Sequence, residues 1–254
     1  MKYKKLFKGI TLPLGFSLVG IPKLKRLFLI KKIKQPIYIE FIGVSGVGKS
    51  TLYKYVNKGL YKNWLDIRHF EEFNSDKVQD LIGNLPLYYN ELGKYRINMV
   101  LKGEESHVEK LNAFRTGYNI LKRDALLHLL NKKDIVMSDE GILQFYLDGI
   151  INLYKENKDD FLTLLKNRAV IYCYAPSEVV VNRIMDRKNK RGHLWYKHKE
   201  MSYQELIEFT QGSQKKIEDM VSILEEFIPV LKVDTTDHFK VSKQKILSFI
   251  SENS

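Results

Sequence analysis

Short runs of aliphatic and β-branched residues alternate along this chain with longer stretches in which apolar side chains recur every three or four positions. The short runs predict strands at Pro36–Ile42, Asp66–Phe70, Asp134–Ser138, Ala169–Tyr174 and Pro229–Val233, because runs of that length fit a buried pleated strand better than a helix. The longer stretches predict helices over Lys49–Leu60, Glu104–Lys132, Gly141–Tyr154, Asp160–Lys166, Ser177–Lys188, Ser202–Phe227 and Lys240–Ser251. In the longest of them Val108, Leu111, Phe114, Tyr118, Leu121, Ala125 and Leu129 form one apolar stripe. Five strands with helices between them require crossover connections, which are right-handed and cover both faces of the sheet. The expectation is a three-layer α/β fold around a five-stranded parallel sheet. No internal repeat or low-complexity linker interrupts it, so a single domain over residues 36–254 follows an N-terminal arm of residues 1–35.

Composition adds a charge asymmetry. The 254 residues are 44% hydrophobic and carry a net charge of +12, enough apolar material for a sizeable core. Residues 1–39 hold ten basic side chains (Lys2, Lys4, Lys5, Lys8, Lys23, Lys25, Arg26, Lys31, Lys32 and Lys34) and no acid, leaving thirty-two basic against thirty acidic residues in the rest. A near-neutral body argues against a protein that reads nucleic acid with its whole surface. Within the arm, Leu24, Leu27, Phe28, Ile30 and Ile33 alternate with basic residues. That pattern fits a basic amphipathic helix on an anionic membrane surface, with residues 1–34 as the contact; the other reading packs Leu12–Ile30 on the body and leaves the lysines solvated. The run Gly9–Pro22 is too short to span a bilayer and has no cleavage pattern, and Cys173 stands alone. The expected location is the cytoplasm, with peripheral attachment to the inner face of the membrane.

The first strand runs into GVSGVGKST, in which Gly43, Gly48, Lys49 and Ser50 satisfy G-x-x-x-x-G-K-[ST] with Gly46 as an extra glycine. A strand in front and a helix behind give the motif its required setting. The backbone of Gly43, Ser45, Gly46, Val47, Gly48, Lys49, Ser50 and Thr51 is expected to curl its N–H groups around a β-phosphate at the positive end of the following helix. Lys49 is expected to reach the β- and γ-phosphates of ATP, and the Ser50 hydroxyl to complete a Mg²⁺ shell. The six histidines show no metal-ligand spacing, and neither a G-x-S-x-G elbow nor a second glycine-rich fingerprint is present.

With this motif in its setting, the chain resembles P-loop kinases of the nucleoside and nucleotide kinase group. In layout it is most similar to thymidylate-kinase-like proteins, over about residues 36–250. The resemblance implies a carboxylate near the acceptor at the end of the second strand, an acidic residue followed by arginine after the third, and an arginine-rich lid after the fourth. The corresponding positions are Glu71 and Glu72, then Asp139, then Arg183, Arg187 and Arg191, with the lid at about 183–200. Read on their own, Glu71 and Glu72 sit at the carboxyl edge of a parallel sheet, where one of them accepts a hydroxyl proton or faces a metal; as turn residues they would merely be solvated. Asp139 faces the loop metal or caps the helix that comes next. Arg183, Arg187 and Arg191 share one helical face, which clamps a transferring phosphoryl group or stays wet. Glu140 departs from the family pattern by standing where it has arginine, which favours a neutral hydroxyl acceptor over a phosphorylated one. The segment from Leu85 to Arg123, with Tyr88, Tyr89, Tyr95, Arg96, Arg115, Lys122 and Arg123, is the expected acceptor wall, and Val233–Asp237 resembles an adenine-lining loop.

The sequence therefore points to an ATP- and Mg²⁺-dependent phosphotransferase acting on a hydroxyl or phosphate of a small-molecule or glycan acceptor. The competing class is a P-loop ATP- or GTP-binding switch or assembly ATPase without such an acceptor. Its guanine-reading motif appears only as Asn131–Asp134, ahead of the third strand.

Overall fold

The structure, a computed structural model, describes residues 11–12, 16–17, 38–57, 64–66, 86–103, 105–130, 135–191, 198 and 201–253. Two short strands, β1 (Thr11–Leu12) and β2 (Phe16–Ser17), pair antiparallel. The main sheet contains β3 (Tyr38–Ile42), β4 (Trp64–Asp66), β5 (Ile135–Ser138), β6 (Arg168–Tyr174) and β7 (Val230–Asp234) in the order β4-β5-β3-β6-β7, and every neighbouring pair is parallel. The helices are α1 (Lys49–Asn57), α2 (Tyr88–Lys102), α3 (His107–Leu130), α4 (Ile142–Phe145), α5 (Leu147–Glu156), α6 (Lys158–Leu165), α7 (Ser177–Arg191), α8 (Tyr203–Leu224) and α9 (Phe239–Asn253).

β3 and β5 are buried along their whole length and β6 along all but its last residue, which is why these segments read as mainly apolar runs, interrupted at Glu40 and Arg168, instead of alternating ones. Because β3 pairs with β5 on one side and β6 on the other, the strand order reverses at its carboxyl end. In an open parallel sheet that switch point is the place where a ligand crevice opens.

Four expected strands lie within two residues of their anticipated bounds. Of the expected strand Asp66–Phe70 only Asp66 lies among the described residues, where it belongs to the edge strand β4. Residues 67–85, Glu71 and Glu72 among them, lie outside the described residues, as does the amphipathic segment Leu24–Ile33 of the arm. The single helix expected over Gly141–Tyr154 is two, divided at Tyr146, whose ψ of 25° is not helical. The helix α2 was not anticipated. It packs antiparallel on α3, setting Gly93 against Leu121 and Arg96 against Gly117. That contact buries Gly117, Ile120 and Asp124 and turns Val108, Leu111 and Tyr118 of the expected stripe to solvent, each about two-thirds exposed.

At the amino ends of the strands, far from the loop, sits a buried ion pair. Arg168 Nη2 donates to both carboxylate oxygens of Asp124 at 2.7 Å, Arg168 Nε donates to the Leu164 carbonyl, and Tyr89 Oη donates to Asp124 at 2.7 Å. The guanidinium also lies 4.7 Å from the centre of the Tyr38 ring. Asp124 is what keeps Arg168 charged: burial pulls the guanidinium pKa down, but the carboxylate leaves it above its ordinary value. One cluster thereby joins α2, α3, α6, β3 and β6.

Candidate functional site

Between β3 and α1 the chain makes a turn in which Gly43, Gly46 and Gly48 all have positive φ, at 145°, 86° and 111°. Gly43 shows the requirement most sharply: a Cβ there would come 2.3 Å from the Cys173 carbonyl oxygen of β6, so the loop closes onto the sheet only without a side chain. Val47 is fully buried and anchors the loop, whereas Ser45, Ser50 and Thr51 face solvent. The amide of Gly43 donates to Gln144 Oε1 at 2.7 Å, which fastens the start of the loop to α4.

Lys49 folds back over the loop, donating to the carbonyls of Gly43 and, at 3.1 Å, Val44. Burial lowers its pKa, opposed by the negative charges of Glu140 and Asp139, while Arg187 adds to the lowering. The structure thus gathers four of the singled-out side chains, Lys49, Asp139, Glu140 and Arg187, into one electrostatic neighbourhood. Asp139 is half-buried and Glu140 exposed on the turn after β5, a turn held by Ser138, whose hydroxyl donates to the Glu140 carbonyl and accepts from its amide.

Arg183 lies beneath the loop. Its guanidinium donates to Val47 O at 2.6 Å, Thr235 Oγ1 at 2.9 Å and Thr235 O at 2.9 Å, and Thr235 Oγ1 itself donates to Val47 O at 2.6 Å. Arg187, one turn on, is exposed; Arg191 ends α7, and its side chain is outside the described residues. Thr235 of the expected adenine-lining loop is buried and therefore part of the loop's floor.

A cavity of about 300 Å³ adjoins the loop, sharing Gln144 with it. Tyr95 and Arg96 of α2, Phe145 of α4, Asp148 of α5 and Lys216 of α8 form much of its wall. The Arg96 guanidinium stacks 4.4 Å from the Phe145 ring centre, and its buried Nε has no hydrogen-bond partner among the described residues. Lys216 and Asp148 are 3.8 Å apart and largely solvated, a pair that contributes little to stability. Of the expected acceptor wall, Tyr95, Arg96 and Met99 line this cavity and Arg115, Lys122 and Arg123 do not, while Tyr88 and Tyr89 turn into the core.

No group of three or more His, Cys, Asp or Glu side chains that could hold a metal ion is present among the described residues. A hydroxyl at the start of α1 and one carboxylate on the facing turn suit Mg²⁺ that keeps waters and takes its remaining ligands from nucleotide phosphates.

No family model and no curated protein matches the chain. Among solved structures it is similar to deoxyadenosine kinase from M. mycoides with bound dCTP, at 17% identity and a TM-score of 0.44, covering 85% of this chain and 100% of that one. It is also similar to shikimate kinase from Bacteroides thetaiotaomicron, at 15% identity and a TM-score of 0.42, covering 84% of this chain and 98% of that one. With identities and scores this low, the reading of the site rests on its own geometry.

One residue missing from the sequence-based expectations belongs to this site. Glu40, in the middle of β3, is 1% exposed, and its carboxylate accepts from the amides of Leu143 at 3.1 Å and Gln144 at 2.7 Å. The available signal was its position. A carboxylate in a strand covered on both faces has no solvent to turn to and must have partners.

Proposed function

We propose that the chain is an ATP-dependent phosphotransferase that moves the γ-phosphoryl group to a hydroxyl of an acceptor seated in the cavity between α2, α4 and α8. The supporting observation is that Gln144 lines this cavity and also accepts from the first glycine of the phosphate loop, so donor loop and cavity share a wall. In this reading Lys49 and the amides of residues 43–51 hold the phosphates, and Ser50 and Asp139 hold Mg²⁺. Arg187 and Arg191 close over the transferring group, while Arg183 braces the loop from below. The acceptor oxygen attacks the γ-phosphorus, the bond to the β,γ-bridging oxygen breaks, ADP leaves, and the hydroxyl proton passes to a carboxylate among Glu71, Glu72 and Asp139. Glu140, exposed beside Lys49, disfavours a second phosphate at the transfer position.

The deciding experiment is a screen of labelled ATP against nucleosides, nucleotides, sugars and lipid-linked glycans. Arg96→Met is expected to raise KM for the acceptor found by about tenfold or more while changing kcat less, as loss of a contact made equally in ground and transition states does. If no acceptor in any class is labelled while ATP is hydrolysed slowly, the switch or assembly-ATPase reading takes its place.

The basic residues 1–34 are assigned to an anionic membrane surface. No helix among the described residues is long and apolar enough to cross a membrane, and ten cations without an acid give a charge-dependent surface attachment. Deleting residues 1–34 should abolish sedimentation with phosphatidylserine vesicles and leave turnover on a soluble acceptor unchanged. Equal sedimentation of both proteins overturns the assignment.

A further inference from the structure

We infer that Glu40 is a positioning residue of the phosphate site, holding the turn that carries Asp139 and Glu140, and through Gln144 the first glycine of the loop, in register with Lys49. This rests on the reading of residues 43–51 as a nucleotide site. The Glu40 carboxylate spans the first turn of α4, accepting from two successive amides, and the side chain of the second residue so held, Gln144, accepts from Gly43. The two ends of the linkage, Glu40 in β3 and Gly43 just past its end, are thus three residues apart in the chain and joined through α4. Ser138, which fixes the acidic turn, is the cross-strand partner of Glu40. The fit leaves no slack: a Cβ at Gly141 would lie 2.4 Å from the Glu40 carboxylate and 2.6 Å from the Tyr38 hydroxyl. No surface group can reach in to replace a carboxylate with 1% exposure.

The same burial has a second consequence. Desolvation lifts the Glu40 pKa from 4.5 to about 7, against the two amide hydrogen bonds and the Arg168 guanidinium, with Asp124 adding to the rise; the Tyr38 hydroxyl on the same strand also faces it. Two pH dependences of opposite sign result. The folded protein binds the Glu40 proton more tightly than the unfolded chain, so the contribution of Glu40 to stability falls as pH rises through this window. Positioning needs the carboxylate that accepts from both amides, so it improves as pH rises. A residue serving only the fold shows the first trend without the second.

The test compares the full-length protein with Glu40→Gln and Gln144→Met, reading the dissociation constant of a fluorescent ATP analogue without acceptor, together with amide hydrogen exchange. At a pH of about 8 Glu40→Gln should weaken binding about tenfold, the scale of a small displacement at a preorganised site. The ratio of variant to parent should approach one at a pH of about 6, and exchange across 139–145 should rise. Gln144→Met should weaken binding and speed exchange at Gly43 while leaving the amides held by Glu40 protected. A Glu40→Gln protein with parental affinity at both pH values and parental exchange overturns the inference. Should Glu40→Gln fail to fold, parental affinity and Gly43 exchange in Gln144→Met overturn it equally. If the parent binds no nucleotide but Glu40→Gln still loosens 139–145, the nucleotide reading fails and the mechanical linkage stands.

Discussion

Replacing Lys49 with alanine should lower phosphoryl transfer by about 10²–10³-fold, the loss typical when one preorganised donor is removed from a site of developing negative charge. The fold should survive. Lys49 is held by two loop carbonyls at the surface end of the sheet, and losing those charged bonds costs about 1.5–3 kcal/mol each, offset in part by relief of the ammonium's burial. Lys49→Arg should not rescue the activity, because a planar guanidinium does not reproduce an ammonium seated over two adjacent carbonyls. The measurements are steady-state turnover with the acceptor identified by the screen, and circular dichroism to establish folding. A folded Lys49→Ala protein turning over at the parental rate would remove the kinase reading altogether.

The largest stability effect is expected at the opposite end of the sheet. Asp124→Ala leaves the Arg168 guanidinium buried without its carboxylate, which costs about 3–5 kcal/mol. For a chain of this size that lowers the melting temperature by roughly 10 °C, at roughly 2–4 °C per kcal/mol. Asp124→Leu combined with Arg168→Met removes both charges and should recover most of the loss, since an apolar pair of similar volume fills a buried ionic site at little cost. Calorimetry on the single and double variants decides this: a double variant as unstable as Asp124→Ala would mean that shape, and not the stranded charge, sets the penalty. Turnover in Asp124→Ala, measured well below its melting temperature, should change only through Glu40, whose proton affinity Asp124 raises and Arg168 lowers.

How much of the molecule was legible in the sequence depended on how strictly each position is constrained. The glycine turn between β3 and α1 was legible because Gly43 tolerates no side chain where it meets β6. The central strands were legible because burial on both faces leaves mainly apolar runs. The edge strand was less so: of the expected DIRHF only Asp66 lies among the described residues, and the pairing of Trp64 and Leu65 before it falls in a stretch whose apolar signal is no stronger than that of its neighbours. In α3 the three- and four-residue spacing was right and Leu121 and Ala125 do face the core, but Val108, Leu111 and Tyr118 of the same stripe turn to solvent. Arg96 and Leu121 pack where small Gly117 and Gly93 admit them, so close helix approach and not hydrophobicity set the rotation. Glu40 was passed over as an isolated polar residue in a strand, although the helices covering that strand leave such a residue no innocuous place. The arginines show a related difficulty: their common helical face was readable, but not that Arg183 would be drawn beneath the loop by the Val47 carbonyl and by Thr235 just past β7.

The brace formed by Arg183, Thr235 and Val47 also bears on how the protein is made. The loop at residues 43–51 leaves the ribosome well before β7, at an elongation rate of about 5–20 residues per second, since Thr235, which donates to Val47 and accepts from Arg183, is translated almost two hundred positions later. During that interval a nascent chain carries the whole glycine-rich sequence without its floor. A translation-arrested chain ending before β7 should therefore show no nucleotide protection against protease, and one extended past α9 should show it in full, so nucleotide capture would wait for β7 and the residues just after it.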